Sequence, residues 1–171
     1  MKALFFIILF TLTTSAHSKV KNPFLTLRYD KVIMYDFAKS DGGESDETSY
    51  PLDEKGHLSK YVTKQVQLDN ETIKYLNDRL GDKKSYGRVS ALCFDPHLGF
   101  AYYFKGKIVA YISICMDCNV LNSSLPIDAQ KQGKNGTGKN IYYLLSGPSK
   151  SLRHFLNGLL KRNNFSHQTG E

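Results

Sequence analysis

Four side chains in this sequence could meet at one soft cation: Cys93, His97, Cys115 and Cys118. They are spaced Cys-x3-His, seventeen residues, then Cys-x2-Cys. Thiolate and imidazole ligands in that pattern can close a tetrahedron around zinc, an ion with no geometric preference of its own. The same cysteines support a second chemistry. In an oxidising compartment two of them form a disulfide and the third stays a thiol, or Cys115 and Cys118 act as an exchanging pair. A thioredoxin-type pair needs a helix N-terminus to depress its first thiol's pKa. Here Cys118 is followed by Asn119-Val120-Leu121-Asn122-Ser123-Ser124, which has no helical pattern, and the intervening Asp117 disfavours a thiolate. Structural metal and structural disulfide are therefore the two main readings of the cluster, with the redox pair as the alternative.

No other constellation competes with it. Cys93 with His97 is the one local nucleophile–base pair, and triad members usually converge from distant parts of a chain. His57, His154 and His167 stand alone and read as surface residues. A calcium loop starting at Asp41 would need Glu at its twelfth position, which is Leu52. Gly133-x4-Gly138-Lys139 resembles a phosphate loop but continues into Asn140 where Ser or Thr would hold magnesium. Residues 131–140 read instead as a flexible glycine-rich loop. Sequons at Asn70, Asn122, Asn135 and Asn164 matter only in a eukaryotic secretory pathway. The residues thus favour a protein that is not an enzyme.

The compartment is read from the N-terminus. Lys2, the apolar run Ala3–Leu12 and the small residues Thr13 to Ala16 describe a signal peptide over residues 1–18. The run is about ten residues long, against the ~20 that span a bilayer, so no membrane span is expected in the mature chain. An exported protein follows: periplasmic, cell-envelope-associated or secreted. Residues 19–171 are long enough for one domain with its own core and a loose C-terminal tail from Asn163. The formal charge of +7 comes from scattered lysines, which make a solvated basic surface and not a nucleic-acid footprint. A protein or cell-envelope partner is compatible with that surface.

The elements that position the cluster can be read from periodicity. Phe24–Arg28 and Lys31–Phe37 read as extended, and Val32-Ile33-Met34-Tyr35 suits a strand buried on both faces. Residues 60–68 alternate, with Val62, Val66 and Leu68 on one side. Asp69 or Asn70 caps a helix whose stripe is Ile73, Leu76 and Leu80, ended by Gly81. Arg88–Phe94, Gly99–Phe104 and Lys107–Ile114 make a three-stranded meander with a turn at Lys105-Gly106. In this register Ile108, Ala110, Ile112 and Ile114 face the core, while Phe100 and Tyr102 join Tyr111 and Cys115 on the other face. A last helix from Gly147 to Arg162 carries Leu152, Phe155, Leu156, Leu159 and Leu160. The expected fold is α+β: a small antiparallel sheet, its centre that meander, covered by two amphipathic helices.

The segments Cys-Phe-Asp-Pro-His-Leu-Gly-Phe (93–100), Tyr-Tyr-Phe-Lys-Gly-Lys-Ile-Val (102–109) and Ile-Cys-Met-Asp-Cys-Asn (114–119) resemble a family of small exported bacterial proteins of unknown function. Similar sequences carry Cys-x2-Pro-Arg-His-Gly before the hairpin and Cys-x2-Cys. The likeness spans Leu68 to Phe165 and is most specific at Cys93, Pro96, Gly99, Cys115 and Cys118. In those sequences the His stands one place later, where this chain has Leu98, so His97 takes the Arg position. The resemblance implies no activity. Taken together, the sequence describes an exported, non-catalytic binding or accessory protein with a zinc-like site or a disulfide at its cysteine cluster. A periplasmic thiol–disulfide protein using the Cys-x2-Cys pair is the second reading.

Overall fold

Alternating apolar residues organise the chain into an α+β fold around one antiparallel sheet. The computed structural model describes residues 21–37, 58–87, 94–139 and 142–167. The expected signal peptide, the acidic loop near Asp41 and Cys93 lie outside them. The sheet holds β1 (Lys31–Phe37), β2 (Val62–Gln67), β4 (Leu98–Phe104), β5 (Lys107–Cys115) and β6 (Val120–Ser123), in the order β2-β1-β4-β5-β6. Short ribbons join β3 (Tyr86–Gly87) to β9 (Gly147–Pro148), and β7 (Lys131–Asn135) to β8 (Tyr142–Leu145). Among the described residues no helix is long and apolar enough to cross a membrane.

The neighbour of β4 differs from expectation. β1 and β5 occupy its two sides; residues 88–93 of the expected first strand lie outside the described residues, and Phe94 lies outside any strand. β1 has the bulky Val32, Met34, Tyr35 and Phe37, all almost fully buried, which suits a strand flanked on both sides. Phe24–Arg28, expected as extended, begins instead with a 3-10 turn at Pro23–Leu25. The Asn22 side chain accepts from the Phe24 amide there, and Pro23 presets the first helical φ.

Helix α1 (Asn70–Leu80) starts where Asp69 accepts the Thr72 amide at 2.8 Å, and it buries Ile73, Leu76 and Leu80. Helix α2 (Lys150–Arg162) is capped by Ser149 and buries Leu152, Leu156, Leu159 and Leu160. It starts later than its apolar pattern suggested, because Gly147 and Pro148 pair with Gly87 and Tyr86. Both stripes belong to one apolar cluster with Val32, Met34, Leu98, Phe100, Tyr102, Ile112 and Ile114 of the sheet. Within that cluster Tyr102 donates to Asn77 Oδ1 at 2.6 Å, satisfying a buried amide of α1.

Two β-bulges set which side chains face which way. In the β4–β5 hairpin Tyr102 opposes Ala110 but Tyr103 opposes Ile108, so Val109 is an extra residue. Lys105 and Gly106 both have positive φ, as a two-residue hairpin turn requires. The bulge shifts the register by one and corrects the facing expected above. Phe100 and Tyr102 point into the core with Ile112, and Ile108 goes to the opposite face with Tyr111. Likewise Asp36 opposes Lys64 while Phe37 opposes Val62, leaving Thr63 extra; Val62 therefore packs with Tyr35 and Phe37, and Val66 with the core. Residues 131–135, expected in a loop, pair with 142–145 as a hairpin, with Gly136 and Gly138 at positive φ between them.

Candidate functional site

At one end of the sheet β1 stops, β4 begins and β5 stops, and a cleft opens between those strand ends. Its volume is about 460 Å³, and it is lined by Phe37, Asp95, His97, Cys115, Asp117, Cys118, Ser166 and His167. His97 sits just before β4, donating its amide to Ile114 O at 3.3 Å and accepting from the Phe37 amide at 3.1 Å. Leu98 and Ile114 are paired and belong to the main core, so His97 and Cys115, next along their chains, lie on the face away from it. Pro96 precedes it without an amide donor, as a strand entry tolerates.

The His97 ring is buried, and its Nδ1 lies 3.3 Å from Phe37 O. A carbonyl can only accept, so Nδ1 carries the hydrogen and Nε2 of the neutral ring keeps its lone pair. Nε2 faces Asp95 Oδ2 at 3.7 Å, beyond hydrogen-bond reach. The other wall comes from beyond α2. Phe165 is 2 % exposed within the main core, and the Ser166 amide donates to Asp36 Oδ2 at 2.8 Å. These contacts seat the segment expected as a loose tail. They bring His167 onto His97, with ring centroids 3.9 Å apart and planes 12° from parallel. His167 Nε2 is 3.2 Å from Asp117 Oδ2, close enough for an ion pair but not aligned as a hydrogen bond.

The cysteines divide. Cys118 is disulfide-bonded, whereas Cys115 is a free, buried thiol. A disulfide sulfur is no thiolate ligand for zinc, and Cys93 lies outside the described residues. Cys115 Sγ accepts the Cys118 amide at 3.1 Å, which closes the turn from β5 to β6 with Asn119 at a φ of 54°. Among the described residues no hydrogen bond joins Cys115 to either imidazole. Of the residues singled out from sequence, His97, Cys115 and Cys118 thus share this cleft, while His154 is exposed on α2.

His167, Asp117 and Asp95 complete the site and were not anticipated as ligands. His167 is 70 residues from His97 in sequence, with no spacing motif to join them. One ligand atom from each of His97, Asp117 and His167 lies within 4.8 Å of those of the other two. The local charge is acidic in a chain of net positive charge, since Asp95 and Asp117 both line the cleft. No family model, curated protein or solved structure matches this chain. The chemistry of the site therefore rests on its own geometry.

Proposed function

We propose that this chain is an exported, non-catalytic binding protein whose ligand site is the cleft at the sheet end, with a disulfide fastening one wall. The observation that carries this reading is the division of the cysteines: one of the Cys-x2-Cys pair is disulfide-bonded and the other is a buried thiol with no imidazole bonded to it among the described residues. A catalytic thiol needs access and a base within reach, and Cys115 is 1 % exposed. The chain holds three cysteines, and in this reading Cys93 is the partner of Cys118. In this reading the two helices cover the core face of the sheet and leave the sheet end for binding. Export is read from the signal-like residues 1–18, and the resemblance of the cysteine and hairpin motifs to small exported bacterial proteins supports it. An oxidising compartment suits a chain stapled in this way.

A thiol–disulfide protein is the second reading, and the 3.1 Å bond from the Cys118 amide to Cys115 Sγ favours it. An amide donor stabilises a thiolate, which could attack the Cys118 sulfur and release the Cys93 thiolate with no net change in electrons. Thiol labelling of the native mature chain separates the two. The binding reading expects one thiol that reacts only on unfolding, and one disulfide that stays between the same residues. Rapid labelling of the native protein, with label recovered on Cys93 as well as Cys115, would establish exchange instead.

A further inference from the structure

We propose that the cleft binds one divalent first-row transition-metal ion of the zinc or copper(II) class, held by His97, His167 and Asp117. The proposal deepens the binding reading and rests on the cleft being the ligand site. Three observations converge on it. The first is the tautomer of His97: a metal-bound imidazole typically donates its second nitrogen to a carbonyl or carboxylate, and Phe37 O already receives Nδ1–H. That leaves the Nε2 lone pair turned toward the carboxylate side of the cleft, where Asp95 lies at 3.7 Å.

The second is an unsatisfied donor set. His167 Nε2 and Asp95 Oδ1 are both shielded from solvent and have no hydrogen-bond partner among the described residues. Buried polar atoms without partners are uncommon, because each forfeits the hydrogen bonds it made to water unless something fills the gap. The third is composition. Ring stacking alone would account for two packed imidazoles. It would not account for a carboxylate at the edge of each ring, Asp95 beside His97 and Asp117 beside His167. Two imidazoles with carboxylates suit a borderline cation, whereas calcium and magnesium prefer oxygen throughout. The same carboxylates repel anionic ligands.

The site must close slightly to grip an ion. Metal–nitrogen bonds are about 2.0–2.1 Å, and rings near parallel must splay for both lone pairs to meet one centre. Asp117, 61 % exposed at its side chain on the β5–β6 turn, and His167, which follows the exposed Ser166, have room to make that adjustment. His97 is the fixed wall. The remaining positions fall to water or to Asp95.

The test uses tag-free mature chain with its disulfide intact, titrated with Zn²⁺ and with Cu²⁺ by calorimetry and by competition with a chromophoric chelator. One ion per chain is expected, with the His97 and His167 ring resonances moving together in NMR spectra. His97→Gln and His167→Gln should each weaken binding more than about 100-fold, since even loss of an outer partner costs about 10–100-fold. Asp117→Asn should weaken it about tenfold or more, and His154→Gln on α2 should leave it unchanged. His97→Gln perturbs a buried strand entry, so the partly exposed His167 and exposed Asp117 decide the matter. Absence of saturable binding, or binding indifferent to both His167→Gln and Asp117→Asn, overturns the proposal. Thiol labelling of the same samples keeps the two failures apart. No metal with an inert Cys115 removes the metal alone, whereas a reactive Cys115 with a migrating disulfide removes the non-catalytic reading while the titration still decides the metal.

Discussion

Replacing the cysteines one at a time distinguishes a disulfide from a shared metal most directly. In the proposed Cys93–Cys118 pairing the bond closes a loop of about 26 residues, and chain-entropy arithmetic for that length gives about 3.5 kcal/mol of stabilisation. Cys118→Ser should therefore lower the free energy of unfolding by about that amount, and Cys93→Ser by a similar amount. Cys115→Ser is a different perturbation. The hydroxyl keeps the side chain's shape and can accept the Cys118 amide in place of the thiol, so its cost should be nearer 1 kcal/mol. Urea melts with and without reductant are the assay. Reductant should bring wild type down to the level of Cys118→Ser and leave Cys118→Ser itself almost unmoved. Equal losses at Cys93, Cys115 and Cys118 would refute the reasoning. That pattern is the one expected if Cys93, His97, Cys115 and Cys118 held a zinc ion whose binding energy is folding energy.

Three further outcomes follow from the packing. Leu156→Ala, at a fully buried position of α2, should cost about 2–5 kcal/mol, and the exposed Lys161→Ala less than about 0.5 kcal/mol; similar midpoints in denaturant would contradict the assigned face. Gly147→Ala drives a methyl into the Asn119 carbonyl behind the Cys118 turn and should cost about 1–3 kcal/mol, while Gly158→Ala, in open space within α2, should stabilise by about 0.5–1 kcal/mol. Burial raises the pKa of Tyr35, Tyr86 and Tyr102, reinforced by Tyr103 at the first, Asp82 at the second and Tyr29 with Tyr86 at the third. These groups stay protonated in the fold while unfolded tyrosines ionise near 10.0, so their contribution is full below that pH and is lost as pH rises above it. Phenolate absorbance should show part of the 11 tyrosines ionising only with unfolding; a single common titration in folded protein would contradict this.

Periodicity made the helices and β1 legible, because each presents a stripe or run that only one secondary structure can bury. The Asp69 cap and the Lys105-Gly106 turn were legible from local chemistry in the same way. The facing of the sheet was not. Val109 and Thr63 are ordinary strand residues by composition, yet each is the extra residue of a bulge that moves its neighbours to the opposite face. A period-two reading carried across either residue inverts beyond it, which is why Phe100, Tyr102, Ile108 and Val62 were placed on the wrong side. Partner choice was hidden as well: β1, far earlier in the chain, takes a position beside β4, and no local spacing signals a pairing between segments so far apart.

The site was half legible for a related reason. Cys115, Cys118 and His97 are adjacent to one turn and one strand entry, so local spacing could bring them together. His167 arrives by a long-range route that no motif encodes. Phe165 buries an aromatic ring in the main core, a contribution of about 1.5–3 kcal/mol, and the next residue's amide docks on the buried Asp36 carboxylate. With both made, the following residue, His167, lies at the end of β1, where its ring stacks on His97. The position of His167 therefore depends on the packing of Phe165 as well as on the ring contact itself. Phe165→Ala should consequently separate the two functions of the segment, loosening His167 from His97 and weakening zinc binding while the fixed ligand, His97, keeps its hydrogen bond to Phe37.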